Sequence, residues 1–322
     1  MKKNRVILNI VLCSLLLLTS CNNEVFIDEL KTSTTELQMN GNGDSTTVNI
    51  NSGDYYITSI DQPNNPTANQ FYGKVYDEKG DIISKYEVPL FQHGMVKGKI
   101  VYSGATNGFT VSRLKDEFID IHLDENLNDS AFKFTIWVSN HYKAIPINIT
   151  QSPADGYVFD HITYTYIPGT YWTDFQFIKD SVDNKGDTPV VVKWSIFSGI
   201  RQIFAFSSND KKAFSYLRKN QYVEVPICLE DSVVKLSSEK KYYRSGEQKG
   251  NLPFNDVEKT ITLPVGMSEI RKIYECEHFS ASYTLYVRNV KTNEIKSVSG
   301  KFHSYMPTGK NYYLLLKGKI QK

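Results

Sequence analysis

Two neighbouring stretches of alternating apolar and polar residues constrain the fold of this chain most. Every second residue is apolar in residues 132–138 (FKFTIWV), and the same period of two recurs in residues 145–149 (IPINI). Side chains alternate between the two faces of a β-strand, so this pattern predicts strands with one buried face. Because only residues 139–144 separate the stretches, we predict that the two strands pair antiparallel as a hairpin.

Composition extends this prediction to the rest of the chain. The 322 residues include 21 tyrosines and 17 phenylalanines, which favour pleated, half-buried surfaces. Helical periodicity is scarce, and only residues 208–220 are predicted to be helical, with Ser208 or Asn209 as the cap and Phe214 and Leu217 on one face. We predict an all-β fold with two β-sandwich-like domains after a signal peptide.

The N-terminus has the layout of a targeting signal. Lys2, Lys3 and Arg5 precede an apolar run that reaches Leu18. The run is shorter than the roughly 20 residues that a membrane-spanning helix requires. This arrangement predicts a secretory signal peptide.

The end of this segment, Leu18-Thr19-Ser20-Cys21, resembles the lipobox of bacterial lipoproteins. The resemblance implies cleavage before Cys21 and acylation of its thiol, with chains of the palmitate type anchoring the protein to a membrane. The acidic residues after Cys21 resemble a signal that exports lipoproteins to the cell surface. The expected location is therefore the outer membrane, with the protein lipid-anchored and facing outward. An ordinary cleaved signal peptide with an incidental cysteine is the alternative.

Turn-rich segments divide the chain. We predict a signal peptide at residues 1–20, a tether at 21–35, a first β-domain at 36–153 and a second β-domain at 157–322. Strands of the first domain are predicted at 46–50, 71–76, 82–88, 99–102, 132–138 and 145–149. Strands of the second are predicted at 157–166, 171–178, 190–197, 222–229, 260–263, 270–276, 282–290, 297–303 and 312–316.

Residues 118–151 resemble the last half of a BACON domain. The resemblance is carried by Asn126 and by the closing strand Ile147-Asn148-Ile149-Thr150-Gln151, since members of that family end in I-x-I-x-Q after an upstream asparagine. It implies a small β-sandwich of a surface lipoprotein, acting as a spacer or a glycan-binding module. The chain departs from the family in residues 61–108, which are longer than usual and hold no tryptophan.

No catalytic or metal-binding constellation is found in the sequence. The six histidines lack H-x-x-x-H and H-E-x-x-H spacing, and neither a G-x-S-x-G elbow nor a phosphate-binding loop occurs. Residues 124–129 (DENLND) are rich in oxygen donors but lack the EF-hand pattern. The formal charge of +2 falls to −1 once the three leader cations are removed, and no basic run suggests nucleic acid. We predict a protein that is not an enzyme, with no cofactor, metal or nucleic-acid partner.

Cys228 and Cys276 are the cysteines that remain after Cys21. A disulfide between them would persist outside the cytoplasm. Two buried, unpaired thiols are the alternative.

Four aromatic residues give the best ligand-binding hypothesis. Tyr164, Tyr166, Tyr171 and Trp172 flank the tight connection at residues 167–170 (IPGT). Flat rings presented at one end of the second sandwich would stack on sugar rings, with a few polar groups fixing the orientation. The alternative is that these rings belong to the core or to cross-strand pairs. We predict a cell-surface binding or scaffold protein that recognises glycans, with unidentified partners in a surface complex.

Four serines follow an aspartate and precede a small or apolar residue or threonine. They are Ser45, Ser130, Ser181 and Ser232. The pattern resembles the O-glycosylation sequon of exported proteins of gut bacteria. Asp-Ser turns at strand ends are the alternative.

An aerolysin-type pore-forming protein is the second functional hypothesis. Residues 181–189 and 260–266 weakly resemble the segments that lead into the long strands of that family. A membrane-inserting hairpin needs strands of about 9 to 11 residues with a continuous apolar face. Residues 223–229 supply one such strand, interrupted by Pro226, whereas residues 237–250 are rich in charged side chains.

Overall fold

The regular structure of the chain is built from β-strands. The structure, a computed structural model, describes residues 29–62, 70–218 and 220–317. Within these ranges no α-helix occurs, so the predicted all-β class is confirmed and no helix there is long and apolar enough to cross a bilayer. The predicted signal peptide and Cys21 lie outside the described residues.

The strands before residue 152 form two packed sheets, which we call the N-terminal unit. They are β1 (Glu36–Met39), β2 (Asp44–Asn49), β3 (Tyr56–Asp61), β4 (Tyr72–Tyr76), β5 (Val88–Pro89), β6 (Gly98–Ser103), β7 (Gly108–Lys115), β8 (Phe118–Leu123), β9 (Phe132–Ser139) and β10 (Ala144–Gln151). One sheet has the order β1-β10-β9-β3 and the other β2-β8-β7-β6-β4-β5. Apolar side chains from both sheets form a single core between them.

The predicted hairpin of the N-terminal unit is confirmed. β9 and β10 pair antiparallel, with Ile147 opposite Ile136 and Ile149 opposite Phe134. All four side chains are buried. The alternation read from the sequence therefore marks the core-facing side of this sheet.

The strands after residue 156 form what we call the C-terminal unit. They are β11 (Tyr157–Tyr166), β12 (Trp172–Asn184), β13 (Val190–Ser195), β14 (Gln202–Ser207), β15 (Tyr222–Glu230), β16 (Val233–Tyr242), β17 (Gly246–Gly250), β18 (Glu258–Leu263), β19 (Gly266–Asn289) and β20 (Ile295–Lys317). The main sheet has the order β11-β19-β20-β14-β17, and β12 also pairs with β19. β13 pairs with β18 and β15 pairs with β16, each as a separate two-stranded sheet. Among the described strands, none of the N-terminal unit pairs with one of the C-terminal unit.

Two long strands replace four that the sequence predicts. β19 has 24 residues and β20 has 23, whereas we expected strands at 270–276, 282–290, 297–303 and 312–316. In β19 the even-numbered side chains are buried up to Cys276, and the odd-numbered ones are buried from Phe279 onward. The alternation thus inverts in mid-strand because different segments cover the two faces of the sheet. Residues around Phe197 cover one face near Cys276, and the second core, which includes Val223 of β15, covers the other.

The predicted helix at 208–220 is wrong. Residues 210–215 form turns, with Ala213 N–H donating to Asp210 O and Ser215 N–H to Lys212 O. The Ser208 and Asp210 side chains accept hydrogen bonds from nearby backbone N–H groups, which competes with a helical ladder.

The predicted strand at 82–88 is also wrong, because only Val88–Pro89 joins a sheet as a strand. Ile83 and Tyr86 in this stretch are exposed. The sequence prediction gave no strand at β1, β3, β7 and β8 of the N-terminal unit, or at β14, β16 and β17 of the C-terminal unit.

The acidic loop at residues 124–129 joins the two units. Lys212 Nζ lies 2.8 Å from Asp124 Oδ2, and Lys296 pairs with Glu125. Arg218 donates to the carbonyls of Leu127 (3.0 Å) and Ala154 (2.9 Å). The loop carboxylates are therefore neutralised by cations of the C-terminal unit, and the Leu127 side chain is buried in the second core.

Candidate functional site

A pocket opens beside the middle of β19, where the buried face of the main sheet changes. Past Cys276, the even-numbered side chains of β19 are no longer covered by the segment around Phe197. His278 and Ser280 consequently line an open pocket of about 170 Å³. We call it the Trp172 pocket, because Trp172 forms one of its walls.

Trp172 is packed on one face of its ring, although 52% of its surface is exposed. Its ring stacks on His278, with centroids 4.6 Å apart and planes 9° from parallel. His278 Nε2 lies 3.1 Å from Asp174 Oδ1, and the Tyr305 ring meets the imidazole edge-on at 4.8 Å. The indole is thus a preorganised platform whose exposed part is available to a ligand.

Polar groups stand in one row across four strands beside this platform. Ala205 of β14 pairs with Glu247 of β17 on one side and with His303 of β20 on the other, and His303 pairs with Ser280 of β19. Ser280 Oγ lies 2.8 Å from His303 Nδ1. Because Ala205 is small, the exposed Glu247 and His303 side chains flank a gap in the row. The row offers acceptors and donors within reach of a group resting on Trp172.

The Ser280–His303 contact has the form of a nucleophile and its base. Acyl transfer also needs donors aimed at the developing oxyanion. The Ser280 backbone N–H is already donated to Thr170 Oγ1 at 3.0 Å. The Ser280 side chain itself is only 8% exposed. The geometry therefore suits binding of a polar ligand better than acyl transfer.

Only one of the four predicted aromatic residues lines this pocket. Trp172 does, whereas Tyr164 and Tyr166 are half-buried against the second core, with Tyr164 Oη donating to Glu224 O at 2.8 Å. Tyr171 is exposed, and its hydroxyl bonds to Glu277. Glu277 lies on the face of the sheet opposite to His278 and the pocket. The four rings do not form one surface.

The connection at residues 167–170 also differs from the prediction. It is a tight turn, with Thr170 N–H donating to Ile167 O and a positive φ of 79° at Gly169. It does not reverse the chain, because β11 and β12 run one after the other along the same edge of β19. Trp172 therefore lies midway along the length of β19, opposite His278, and not at the end of a sandwich.

Cys228 and Cys276 are not joined by a disulfide. Cys276 points to the face covered by residues near Phe197, whereas Cys228 lies on β15, which covers the opposite face. The sheet separates the two thiols, so they cannot approach to bonding distance. Burial raises the pKa of the Cys276 thiol to about 11. The predicted pairing is therefore replaced by the alternative, two unpaired thiols.

The predicted modification sites remain predictions. Ser45, Ser130, Ser181 and Ser232 are all exposed. Ser232 stands in the two-residue turn between β15 and β16, where Asp231 and Ser232 have positive φ values of 50° and 64°. For the described part of the chain, no group of three or more His, Cys, Asp or Glu residues is placed to hold a metal ion.

His278, His303, Ser280 and Glu247 were not predicted from the sequence as residues of this pocket. Each histidine stands alone in the sequence, and Glu247 lies in a stretch that was interpreted only as charged. They meet because of strand register, which joins positions more than 20 residues apart. The one local signal was the aromatic residue at position 172.

No family model and no curated protein matches this chain. Among solved structures, it is similar to a protein from Bacteroides thetaiotaomicron determined by NMR, with 16% identity and a TM-score of 0.26 over 41% of this chain and 94% of that one. It is similar to a lamprey immune protein, with 10% identity and a TM-score of 0.33 over 85% and 98%. It is also similar to the parasporin-2 toxin of Bacillus thuringiensis that recognises cancer cells, with 9% identity and a TM-score of 0.22 over 58% and 75%. These similarities are too low to assign a function.

Proposed function

We propose that this chain is a non-catalytic protein of the cell surface that binds glycans in the Trp172 pocket. The observation that carries the proposal is the half-exposed Trp172 ring, stacked on His278 next to a row of polar side chains. Sugar rings offer apolar C–H faces that pack on aromatic rings, while their hydroxyls need polar partners. Trp172 would supply the first contact, and the exposed Glu247 and His303 side chains would supply the second.

The size of the pocket fits a small ligand. Its volume of about 170 Å³ is below the roughly 300 Å³ at which sites for drug-sized ligands begin. We therefore expect one sugar residue to occupy the pocket, with the rest of a longer glycan outside it.

The N-terminal unit is proposed as a BACON-like spacer. The two residues that carry the resemblance are central to its bonding: the buried Asn126 amide donates to the carbonyls of Ser130 (3.0 Å) and Ser152 (3.2 Å). Gln151 Nε2 donates to the carbonyls of Asn40 (3.1 Å) and Asp124 (2.7 Å). Together with the lipobox at Cys21, the spacer would hold the binding unit away from an outer membrane.

A glycan array tests the proposed function. The chain from Asn22 onward, which keeps every described residue, is applied beside its Trp172→Ala variant and a Tyr142→Ala control on the N-terminal unit. Tyr142 is 70% exposed, so its loss changes surface aromaticity without touching the pocket. We expect binding by the parent and the control and loss of binding in Trp172→Ala. An array on which the parent binds nothing would reject the proposal.

A pore-forming role is the second candidate, because of the β15–β16 hairpin. This hairpin forms its own sheet, and its strands of 9 and 10 residues have the length of membrane-crossing strands. It packs on the main sheet through Val223 and Val225. The charged residues Lys240 and Lys241 on β16 suit water better than lipid. Release of a dye from vesicles would support this role, and a double-cysteine crosslink of the hairpin to the sheet should then abolish it.

A further inference from the structure

A second, larger cavity begins where the Trp172 pocket ends on β19 and β20. The pocket is lined by Ser280 and His303, which lie opposite each other on the two strands. The next pair on the same face, Ser282 and Lys301, lines the larger cavity. Alternate side chains of a strand share a face, so the cavity continues the pocket along the open face of the sheet. Its volume is about 770 Å³, against about 170 Å³ for the pocket.

Small side chains that bear hydroxyl groups line much of this cavity. They are Ser207, Ser208, Ser282, Thr284 and Ser299. We call the cavity the hydroxyl groove. Ser208 Oγ donates to the Ser299 carbonyl at 2.7 Å, which holds the segment after β14 against β20 as a side wall. Ser282 and Ser299 are exposed, and within the described part of the chain their hydroxyls have no hydrogen-bond partner. These two hydroxyls are therefore available to a ligand.

The charges of the hydroxyl groove balance. Lys301 is the one cation and Asp210 the one anion among the residues that line it, and both are exposed. Hydroxyl groups donate as well as accept hydrogen bonds, and so do the hydroxyls of a sugar. The lining therefore favours an uncharged ligand that carries many hydroxyl groups.

A stacked pair of aromatic rings stands at each end of the groove. At the near end, Trp172 stacks on His278. At the far end, one position beyond Thr284 on the same face, Tyr286 stacks on His161 with centroids 4.2 Å apart and planes 12° from parallel. Eight residues of β19 separate His278 from Tyr286, which is about 26 Å at the rise of a strand. His161 is exposed, so this second pair also offers a ring surface.

We infer that an uncharged, linear oligosaccharide of several sugar residues lies along β19 in the hydroxyl groove, with one of its residues in the Trp172 pocket. This inference rests on the proposed glycan binding and specifies its ligand class: a stretch of polysaccharide chain. The pocket has room for one sugar residue, and the groove leaves it along the strand direction. The exposed hydroxyls of Ser282 and Ser299 meet the following residues of the chain, and the Tyr286–His161 pair gives a second stacking surface.

Affinity electrophoresis followed by calorimetry tests the inference. The chain from Asn22 onward is run on native gels that contain xylan, mannan, amylose or mixed-linkage glucan, all of them uncharged. Oligosaccharides of one to six residues from the polysaccharide that retards it are then titrated into the protein. We expect the hexasaccharide to bind at least about tenfold more tightly than the monosaccharide.

Two pairs of substitutions assign this gain to the groove. Ser282→Val/Ser299→Val removes both free hydroxyls and introduces residues that favour strands, and it should lose most of the gain with chain length. Thr110→Val/Ser112→Val removes two hydroxyls from a sheet face of the N-terminal unit and is the matched control, which should keep the gain. Circular dichroism verifies that each variant is folded.

The inference and the proposed function fail in different ways. Equal affinities for the monosaccharide and the hexasaccharide, or a gain that Ser282→Val/Ser299→Val keeps, would overturn the inference and leave the proposed function in place. A protein that binds short glycans on the array but is retarded by none of the polysaccharides would overturn it as well. A protein that binds no glycan in either experiment would overturn both.

Discussion

Asn126 is fully buried, and its single amide group joins its own loop to the end of β10 in the N-terminal unit. Its Nδ2 donates to the carbonyls of Ser130, Gln151 and Ser152, and its Oδ1 accepts from Asn128 N–H. Removing the amide would leave the buried Gln151 carbonyl and the partly buried Ser130 and Ser152 carbonyls without this donor, and an unsatisfied buried group costs more than its bond contributes.

Asn126→Ala is therefore expected to lower the free energy of unfolding by about 2 to 4 kcal/mol. Urea unfolding monitored by circular dichroism measures the change. Asn128→Ala, which truncates a half-exposed neighbour, is the control and should change stability by less than about 1 kcal/mol. Equal effects of the two substitutions would show that Asn126 is not the bonding centre of this loop.

Glu277 makes the folding stability of the C-terminal unit depend on pH. Burial raises the pKa of this carboxyl above its ordinary value of 4.5, although hydrogen bonds from Leu229 N–H and the Tyr171 hydroxyl act in the opposite direction. A carboxyl whose folded-state pKa is raised stabilises the fold at low pH, and this stabilisation is lost as the pH rises through the folded-state pKa.

Glu277→Gln keeps an acceptor for Leu229 N–H and removes the titration. We expect the stability of the parent relative to Glu277→Gln to decline as the pH rises from below 4.5 to neutrality. Urea unfolding across this range measures the difference, and Glu78→Gln at an exposed turn is the control. A stability difference that does not change with pH would contradict the assignment.

Among the strands, local sequence patterns predicted the bounds and pairing correctly where the same face of a strand stays buried along its whole length. The β9–β10 hairpin was predicted because both strands keep one buried face. β19 was split in two because its buried face inverts near residues 276–279, which depends on segments distant in the sequence that cover each face. The Trp172 pocket depends on the same inversion. Trp172 was therefore identified from the sequence, whereas its partners His278, His303 and Glu247 were not.

Amide hydrogen exchange tests the continuity of β19. If residues 266–289 form one strand, the amides of residues 276–281 should exchange as slowly as those on either side, because all six residues pair with β20 and the Ser280 N–H is donated to Thr170 Oγ1. The solvent-exposed turn at residues 231–232 is the internal reference for fast exchange. Fast exchange confined to residues 276–281 would instead indicate two strands joined by a loop.

At the scale of the whole molecule, the two units are joined by a polar contact with a small apolar centre. Lys212, Arg218 and Lys296 bond the acidic loop at 124–129, and Leu127 inserts into the second core. Burial by itself would lower the pKa of Lys296. The hydrogen bond to Glu125 and the negative charge of that carboxylate outweigh burial, so the pKa of Lys296 is raised. Lys296 therefore stays charged, and the contact persists at neutral pH.

The double substitution Lys212→Ala/Arg218→Ala is expected to loosen this contact. Each charge-assisted bond contributes about 1.5 to 3 kcal/mol, so the units should become mobile relative to one another while each stays folded. Small-angle X-ray scattering should show a larger radius of gyration. Arg288→Ala, which removes an ion pair with Asp160 within the C-terminal unit, is the control and should leave the radius unchanged. An unchanged radius in the double variant would contradict this expectation and show that Leu127 and the remaining ion pairs, such as Lys296–Glu125, hold the units together.

Calorimetric titration of one glycan tests whether the Trp172 platform binds a sugar ring. The glycan bound best by the parent is titrated into the parent, Trp172→Phe, Trp172→Ala and the Tyr142→Ala control. We predict that Trp172→Phe keeps most of the affinity, because it retains a flat ring. Trp172→Ala should lose at least about tenfold, or about 1.4 kcal/mol. Equal affinities for the parent and Trp172→Ala would show that Trp172 does not bind the sugar ring and would place glycan binding elsewhere on the molecule.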